Sequence, residues 1–498
     1  VSTAGRADRR AAVIGGGIAG LAAARVLSDR GIPVALLERD AEPAVTSPEL
    51  AFSEWKRSGA PQVRHSHAFL GRLRCLLRDR YPDLLESLRA VGAADLDMLA
   101  HPPLTLPRLT HETGDEDLVA LGCRRTTFEW VVRRNVLTRP CVELVSGADV
   151  RGLLAASGTP PVVTGIHYAT RDGANATLDA DLVVDASGRH SKAPEWLDAI
   201  GAALPRERQE PSGIVYYTRF YRLRPGAAEP PPSAHPAAAD YTWIKYAIFP
   251  ADDRTFSITF AVPLAVPRLK VLARPAAFEA MASILPALAP WIDSERSEPL
   301  EDPHRPVQAM GGLINRVRRF TRNGQPVAIG FFAIGDAAFC TNPLYGRGCA
   351  QAFLHADLLG AALDAHPDDL SAAAMALAEQ ARLQIEPFYR ASVVADRDAV
   401  RRAEGRRPKR LGDRLRQRFF EDGVLPATRC DPVVFRAFLR MFNMIESPER
   451  AFGSARVFLR SLRVLARGRR YNRRYAIPDP PDRELTIARC EAAARDAA

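Results

Sequence analysis

The sequence predicts an α/β chain, α+β overall. It has a Rossmann-like nucleotide-binding domain, an antiparallel β-sheet domain and a helical C-terminal region. Three observations predict it. Ala11–Asp40 reads as strand, glycine turn, helix and second strand. Alternating apolar segments crowd residues 206–309. From about Ala372 onward the apolar spacing is helical.

Each element follows from its residues. Ala11–Ile14 is a short apolar run suited to a buried parallel strand. Gly15, Gly17 and Gly20 then form G-x-G-x-x-G, with Gly16 as an extra glycine. The first glycine permits the tight turn, the second lets a pyrophosphate approach the backbone, and the third lets helix and strand pack closely. Ile18 and Ala19 open an Ala/Leu helix through Leu27, whose first amides can bind a diphosphate. Val34–Leu37 is the second strand and Glu38 ends it, where an acid about 20 residues on can accept from an adenosine ribose. A carboxylate there argues against a 2′-phosphate. This stretch alone does not separate NAD from FAD.

The bulk numbers bound the rest. At 498 residues the chain predicts two or three domains, and its 47% hydrophobic and 25% charged content is that of a globular protein. The net charge of +10 is almost entirely arginine, without an evident stacking module, which argues against nucleic acid. Seven scattered cysteines with no C-x-x-C support neither a disulfide frame nor zinc and fit a cytoplasmic setting. VSTAGRADRR lacks an apolar signal core, and no run reaches the roughly 18 residues that span a bilayer.

Further along, Ser58–His67 carries Arg64, His65 and His67, which line a cofactor or the surface. No further metal ligands are evident nearby, so no metal is expected. Leu70–Val91 reads as a helix. On the helix Cys123–Leu137, Arg125, Glu129 and Arg133 recur at helical spacing, as a site or as a solvated face. Val142–Val184 reads as a β-meander ending in Asp185 and the turn at Gly188. Ile214–Leu223, Tyr241–Pro250 and Thr255–Val262 read as antiparallel strands. Their aromatics, among them Tyr216, Tyr246 and Phe249, are core or line an apolar pocket. Pro326–Ala350 repeats the opening logic: a strand ends at Gly335-Asp336, a loop holds Pro343, Gly346 and Gly348, and a helix follows from Cys349 to Ala365. Arg401–Arg418 is basic, with a solvated helix as its default reading. Val457–Arg467 mixes apolar residues and arginines in a way that leaves peripheral membrane contact open.

GGGIAG with Glu38, VVDASGRHS and IGDAAFCTNPLYGRG, in that order, resemble the FAD-dependent monooxygenases of the para-hydroxybenzoate hydroxylase fold. The resemblance covers about residues 10–205 and 310–365. Within that superfamily APQVRHSHAFL, RRTTFEWVVRR and NPLYGRG are most similar to polyether-type and squalene-epoxidase-like enzymes. It implies a glutathione-reductase-type FAD-binding domain over 1–205 and 310–371, whose claim to part of 80–120 stays open. A β-sheet substrate domain over 206–309 and a helical region over 372–498 complete it. It implies that Gly15, Gly17, Ile18, Ala19 and Gly20 hold the FAD diphosphate, Glu38 the ribose and Arg39 the adenine. Arg64, Arg125 and Asp185 would approach the cofactor, Gly335 and Asp336 its ribityl region, and Pro343, Gly346 and Gly348 its isoalloxazine.

The activity so implied is insertion of one oxygen atom from O2 into an apolar small molecule, by epoxidation or hydroxylation, through a flavin C4a-hydroperoxide. Arg64, His65, His67 and Pro343 are the catalytic candidates. NADH or NADPH would supply electrons, directly or through a flavin reductase; Asp185-Ala186, where many aromatic hydroxylases have Asp-Gly, bears on that choice. Other readings are a reductase of isoprenoid double bonds and a flavin-dependent halogenase, although no W-x-W-x-I-P is present and Lys56 lies outside the lysine context of halogenases. A non-catalytic flavoprotein binding a partner through its basic C-terminal region is the remotest.

Overall fold

The computed structural model describes residues 9–42, 45–300, 305–406 and 410–497. Most of the N-terminal VSTAGRADRR, residues 407–409 of the basic stretch, and the chain limits 1 and 498 lie outside the described residues.

The opening unit forms as its residues dictate. Strand β1 (Ala11–Ile14) is wholly buried, helix α1 (Ile18–Ser28) follows the glycine turn, and β2 (Val34–Glu38) returns parallel to β1 with Ala11 opposite Val34. Helix α2 (Arg125–Leu137) leads into β3 (Val142–Ser146) beside β2, and β4 (Leu182–Asp185) lies on the other side of β1. The meander expected over Val142–Val184 is confined to Asp149–Ala156, Val162–Ala169 and Asn175–Asp179. Its last segment instead joins the parallel sheet, because Leu182–Asp185 is buried at every position and has no polar face to show solvent.

A second, antiparallel sheet contains β5 (Ile214–Leu223), β6 (Lys245–Pro250) and β7 (Thr255–Pro263). The strand expected from Tyr241 begins only at Lys245. Thr242 has a φ of 71° and Trp243 N–H donates to Tyr241 C=O, so Tyr241–Ile244 is a turn after the short strand Ala238–Asp240. Between the sheets, Ile314–Arg319 pairs with both Arg206–Pro211 and Phe339–Cys340. Then β8 (Phe331–Ala333) closes the parallel sheet in the order β8-β4-β1-β2-β3.

Helix α3 (Gly348–Ala365) packs on α1, where a Cβ on Gly360 would lie 2.5 Å from Val26 Cγ1. The helix expected over Leu70–Val91 is two, Gly71–Arg80 and Pro82–Ala90, because Pro82 lacks an N–H and biases Tyr81 away from helical geometry. The C-terminal region is helical and includes α4 (Glu386–Ala403), α5 (Leu411–Phe419) and α6 (Ala455–Ala466). Among the described residues no helix is long and apolar enough to cross a membrane.

Candidate active site

The carboxyl ends of β1 and β2 open onto a cavity of about 350 Å³, which runs from the first glycine turn to the antiparallel sheet. That volume lies within the roughly 300–1,000 Å³ of small-molecule and cofactor sites. At its near end Gly15 has φ +102°, and a Cβ there would meet the Ala186 carbonyl at 2.8 Å. A Cβ on Gly20 would fall 1.7 Å from the Gly15 carbonyl, so Gly20 sets the approach of helix to turn and does not line the cavity. Gly17 is different: the nearest atom to its added Cβ is Arg57 Nη2 at 3.9 Å. That open volume faces the start of α1, whose first turn supplies N–H groups with no intrahelical acceptor.

A buried row of charges backs this wall. Arg57 Nη1 donates to Glu38 (2.8 Å) and Asp40 (3.1 Å), and its Nη2 lies 2.9 Å from Glu129. Glu129 Oε2 accepts from Arg125 Nη2 at 2.8 Å, and Arg125 Nη1 donates to Cys349 Sγ at 3.0 Å, at the start of α3. Burial alone would push the Glu129 carboxyl up; the two guanidinium groups hold it below its usual value. Arg125, Glu129 and Arg133 are all buried, so the solvated-face reading of α2 is overturned. Arg57 was not foreseen, and no local pattern marks it, since its partners lie 17 to 72 positions away in sequence.

The other expected residues divide. Arg39, Asp336, Pro343, Gly346 and Gly348 line the cavity beside Gly15, Gly17, Ile18, Ala19, Glu38 and Arg125. Burial pushes the Asp336 carboxyl up despite Arg189, Arg125 and Arg316 nearby. Gly335 lies behind the wall, its N–H donating to His355 Nδ1 at 3.2 Å. Asp185 is also withdrawn: its carboxylate accepts from Ser187 N (3.0 Å), Ser187 Oγ (2.5 Å) and Ser191 Oγ (2.6 Å), so it shapes the turn and does not face the cavity. Arg64 points elsewhere, its Nη2 donating to the Ser53 carbonyl at 3.0 Å beside a small hollow with Phe52 and Phe220.

At the far end β5 and β7 place Thr218 opposite Thr259. Thr259 Oγ1 donates to Ser66 Oγ at 2.7 Å, and Ser66 lies 2.6 Å from Ser257 Oγ. A hydroxyl carries one proton, so Thr218 must donate to Thr259 across their 2.7 Å contact, and its oxygen accepts from His65 Nδ1–H at 3.1 Å. The polarity of this chain leaves the His65 Nε2 lone pair for the cavity that His65 lines. Burial and Arg189 lower the His65 pKa to about 4, so its imidazole is neutral at pH 7. His67 is lowered to about 3, by burial first and then Arg125, while its Nδ1 donates to the His65 carbonyl at 2.9 Å. The sheet aromatics sort by strand alternation: Tyr216 and Phe249 line the cavity, whereas Tyr217, Tyr221, Phe256 and Phe260 are core, and Tyr246, on the face of β6 opposite Phe249, joins that core while also bordering the cavity.

Helix α4 braces the late loop. Asp396 accepts from Asn315 Nδ2 (2.7 Å), Asn342 Nδ2 (2.9 Å) and Tyr345 OH (2.9 Å), and Tyr216 OH donates to Asn342 Oδ1. Lys245 also lines the cavity, 3.1 Å from Asp240, which Arg402 holds at 2.8 Å.

Residues 10–51 match the family model of FAD dependent oxidoreductases. Protein Rv3254 of Mycobacterium tuberculosis is 27% identical over 467 residues, 89% of this chain and 91% of that protein. The flavin-dependent brominase Bmp2 superposes with a TM-score of 0.60 at 16% identity, over 92% of this chain and 99% of its own. PqsL, a probable FAD-dependent monooxygenase from Pseudomonas aeruginosa, superposes with a TM-score of 0.54 at 16% identity, over 80% and 99%. Residues 10–51 are thus similar to the nucleotide-binding segment of FAD dependent oxidoreductases, and the fold is shared with the flavin-dependent enzymes on which the chain superposes.

The residues present fit FAD. Gly17 leaves a cradle that a side chain would fill, and a Cβ on Gly348 would meet nothing within 4 Å. Gln62 lines the same cavity with a buried Oε1 that has no partner among the described residues. Two helix N-termini, those of α1 and α3, border it with positive dipole ends.

Proposed function

We propose that this chain is an FAD-dependent monooxygenase that inserts one oxygen atom from O2 into an apolar organic substrate. The observation that carries this reading is the continuity of the cavity: the glycine turns of the nucleotide segment and the aromatic face of the antiparallel sheet border the same space. Gly15, Gly17, Ile18 and Ala19 would hold the diphosphate, with Gly20 seating α1 on the turn behind them, Glu38 and Arg39 the adenosine, and Arg125 and Asp336 the middle of the cofactor. Pro343, Gly346 and Gly348 would flank the isoalloxazine. Bound FAD supplies the redox chemistry that activates oxygen. Residues 1–205 with 310–371 would form the cofactor domain, 206–309 the substrate domain and 372–498 the helical region that braces both.

Within this reading the geometry favours hydroxylation of a substrate with an acidic hydroxyl over epoxidation of a plain alkene. An alkene needs no proton acceptor. A phenol or enol does, and His65 Nε2 offers one: the substrate O–H breaks and an Nε2–H forms, which leaves the proton on an imidazolium whose Nδ1–H stays donated to Thr218. NADH or NADPH, directly or through a flavin reductase, would reduce the cofactor.

The test is turnover of the FAD-loaded protein with labelled O2, a reductant, and panels of apolar phenols and polyenes. One labelled oxygen atom per product supports the proposal; product with unlabelled oxygen, or formed equally without O2, sinks it. A halogenase reading has one observation in its favour, the cavity lysine Lys245. Bromide-dependent product with no oxygen incorporated would select it. Oxygen-independent saturation of a polyprenyl chain would select a reductase.

A further inference from the structure

Helix α6 carries two apolar stripes, one buried and one facing outward. At about 100° per residue, Val457, Ser461 and Val464 share one stripe, and all three are buried against the body. The opposite stripe is Leu459, Leu462 and Ala466; Leu459 is 61% exposed and Leu462 41%. Arg456, Arg460, Arg463 and Arg467 recur along one flank between the two. The neighbouring helix α5 has no buried residue; it meets α6 through the Phe419 and Phe458 rings, 5.2 Å apart, and exposes Leu411 and Leu415. A surface helix of a globular protein usually has one apolar stripe and buries it; this one buries Val457 and Val464 and shows a second apolar stripe to solvent.

We propose that α5 and α6 form a docking face for an anionic membrane surface, with the α6 leucines entering the acyl boundary and its arginine flank meeting lipid phosphates. Charge selects this occupant. Residues 455–475 carry eight arginines and no carboxylate. Among the described residues, Arg456, Arg463 and Arg470 have no ion-pair partner. A second copy seated on this face would set one arginine row against another, with Asp413 of α5 the single acid in either helix to offset it. Phosphates alone would leave the leucine stripe unexplained, whereas long arginine side chains beside an apolar stripe suit the boundary between headgroups and acyl chains. The proposal does not depend on the chemistry assigned to the cavity.

Sedimentation of the full FAD-loaded chain with phosphatidylcholine vesicles, with and without phosphatidylglycerol, tests it. Binding is expected only to the anionic vesicles and is expected to fall with salt. Partitioning should drop by roughly tenfold or more in Arg456→Glu/Arg463→Glu and in Phe458→Ser/Leu459→Ser/Leu462→Ser. Retained FAD absorbance reports that these variants fold. In Leu459→Trp the fluorescence should be quenched by lipids brominated on the acyl chain. Absence of binding to anionic vesicles, equal binding to neutral ones, an unquenched Trp, or a dimer that the triple substitution dissolves would each overturn the proposal.

Discussion

A methyl group on Gly20 has nowhere to go, because the Gly15 carbonyl already occupies its place 1.7 Å away. Gly20→Ala is therefore expected to push α1 off the turn, cost about 3 kcal/mol of stability and abolish FAD retention, read by urea unfolding and by the absorbance of the purified protein. His65 illustrates a different control. Its base-competent tautomer is imposed by hydroxyls on β5 and β7, since Thr259 donates to Ser66 and the proton order runs back to Nδ1. His65→Phe should lower kcat for a phenolic substrate by roughly 100-fold while FAD occupancy stays at the wild-type level. If turnover of phenols is unchanged, the base lies elsewhere. Arg57 is structural in its weight: Glu38, Asp40 and Glu129 all depend on it. Arg57→Ala should cost roughly 3–5 kcal/mol in chemical denaturation, because Glu38 and Asp40 lose a buried counter-ion and Glu129 keeps only Arg125.

Helix α4 acts at the scale of an element. It lies far down the chain, yet Asp396 gathers Asn315, Asn342 and Tyr345 and so braces the loop that carries Pro343 and Gly346. Removing that acceptor leaves three donors without it. Asp396→Ala should cost roughly 3 kcal/mol and weaken FAD binding, seen as a lower Tm and faster loss of flavin on dilution; unchanged flavin affinity would show that the loop holds itself. Helix α2 makes the complementary point. Its Arg125 and Glu129 are spaced like a surface ion pair, but α2 packs against α1, the helix Pro48–Ser53 and the turn Pro61–Arg64, and both side chains are buried.

For the whole molecule, three neutral histidines matter: His65 and His355 are buried, and His67 is half-buried on the cavity wall. His65, His67 and His355 have pKa values lowered from 6.5 to about 4, 3 and 3, by burial in each case. The unfolded chain therefore takes up protons first on acidification. Stability is fully present above pH 6.5 and falls as pH drops towards these folded-state values. Between pH 7 and pH 5 the loss should be roughly 2 kcal/mol per histidine. Urea titrations at the two pH values measure it, and His355→Gln should shrink the difference. A stability that rises on acidification would contradict the burial of these rings. The cavity also belongs to this scale: Ile314–Arg319 bonds the late-loop strand to Arg206–Pro211 and so sets the spacing between the two sheets.

What was legible in the linear chain is what local chemistry controls. G-x-G-x-x-G with Glu38 specified β1, α1 and β2, because each glycine answers a steric demand met within a few residues. The second glycine loop was legible for the same reason. The tertiary structure alone decided the rest, since it depends on partners far apart in sequence. It brought Arg57 to Glu129, set Thr218 against Thr259, drew Asp396 under the late loop, and turned Asp185 and Arg64 away from the cavity where sequence reasoning had aimed them. Strand alternation says that Tyr216 and Tyr217 face opposite ways, but only the register between sheets says which of them meets the cavity.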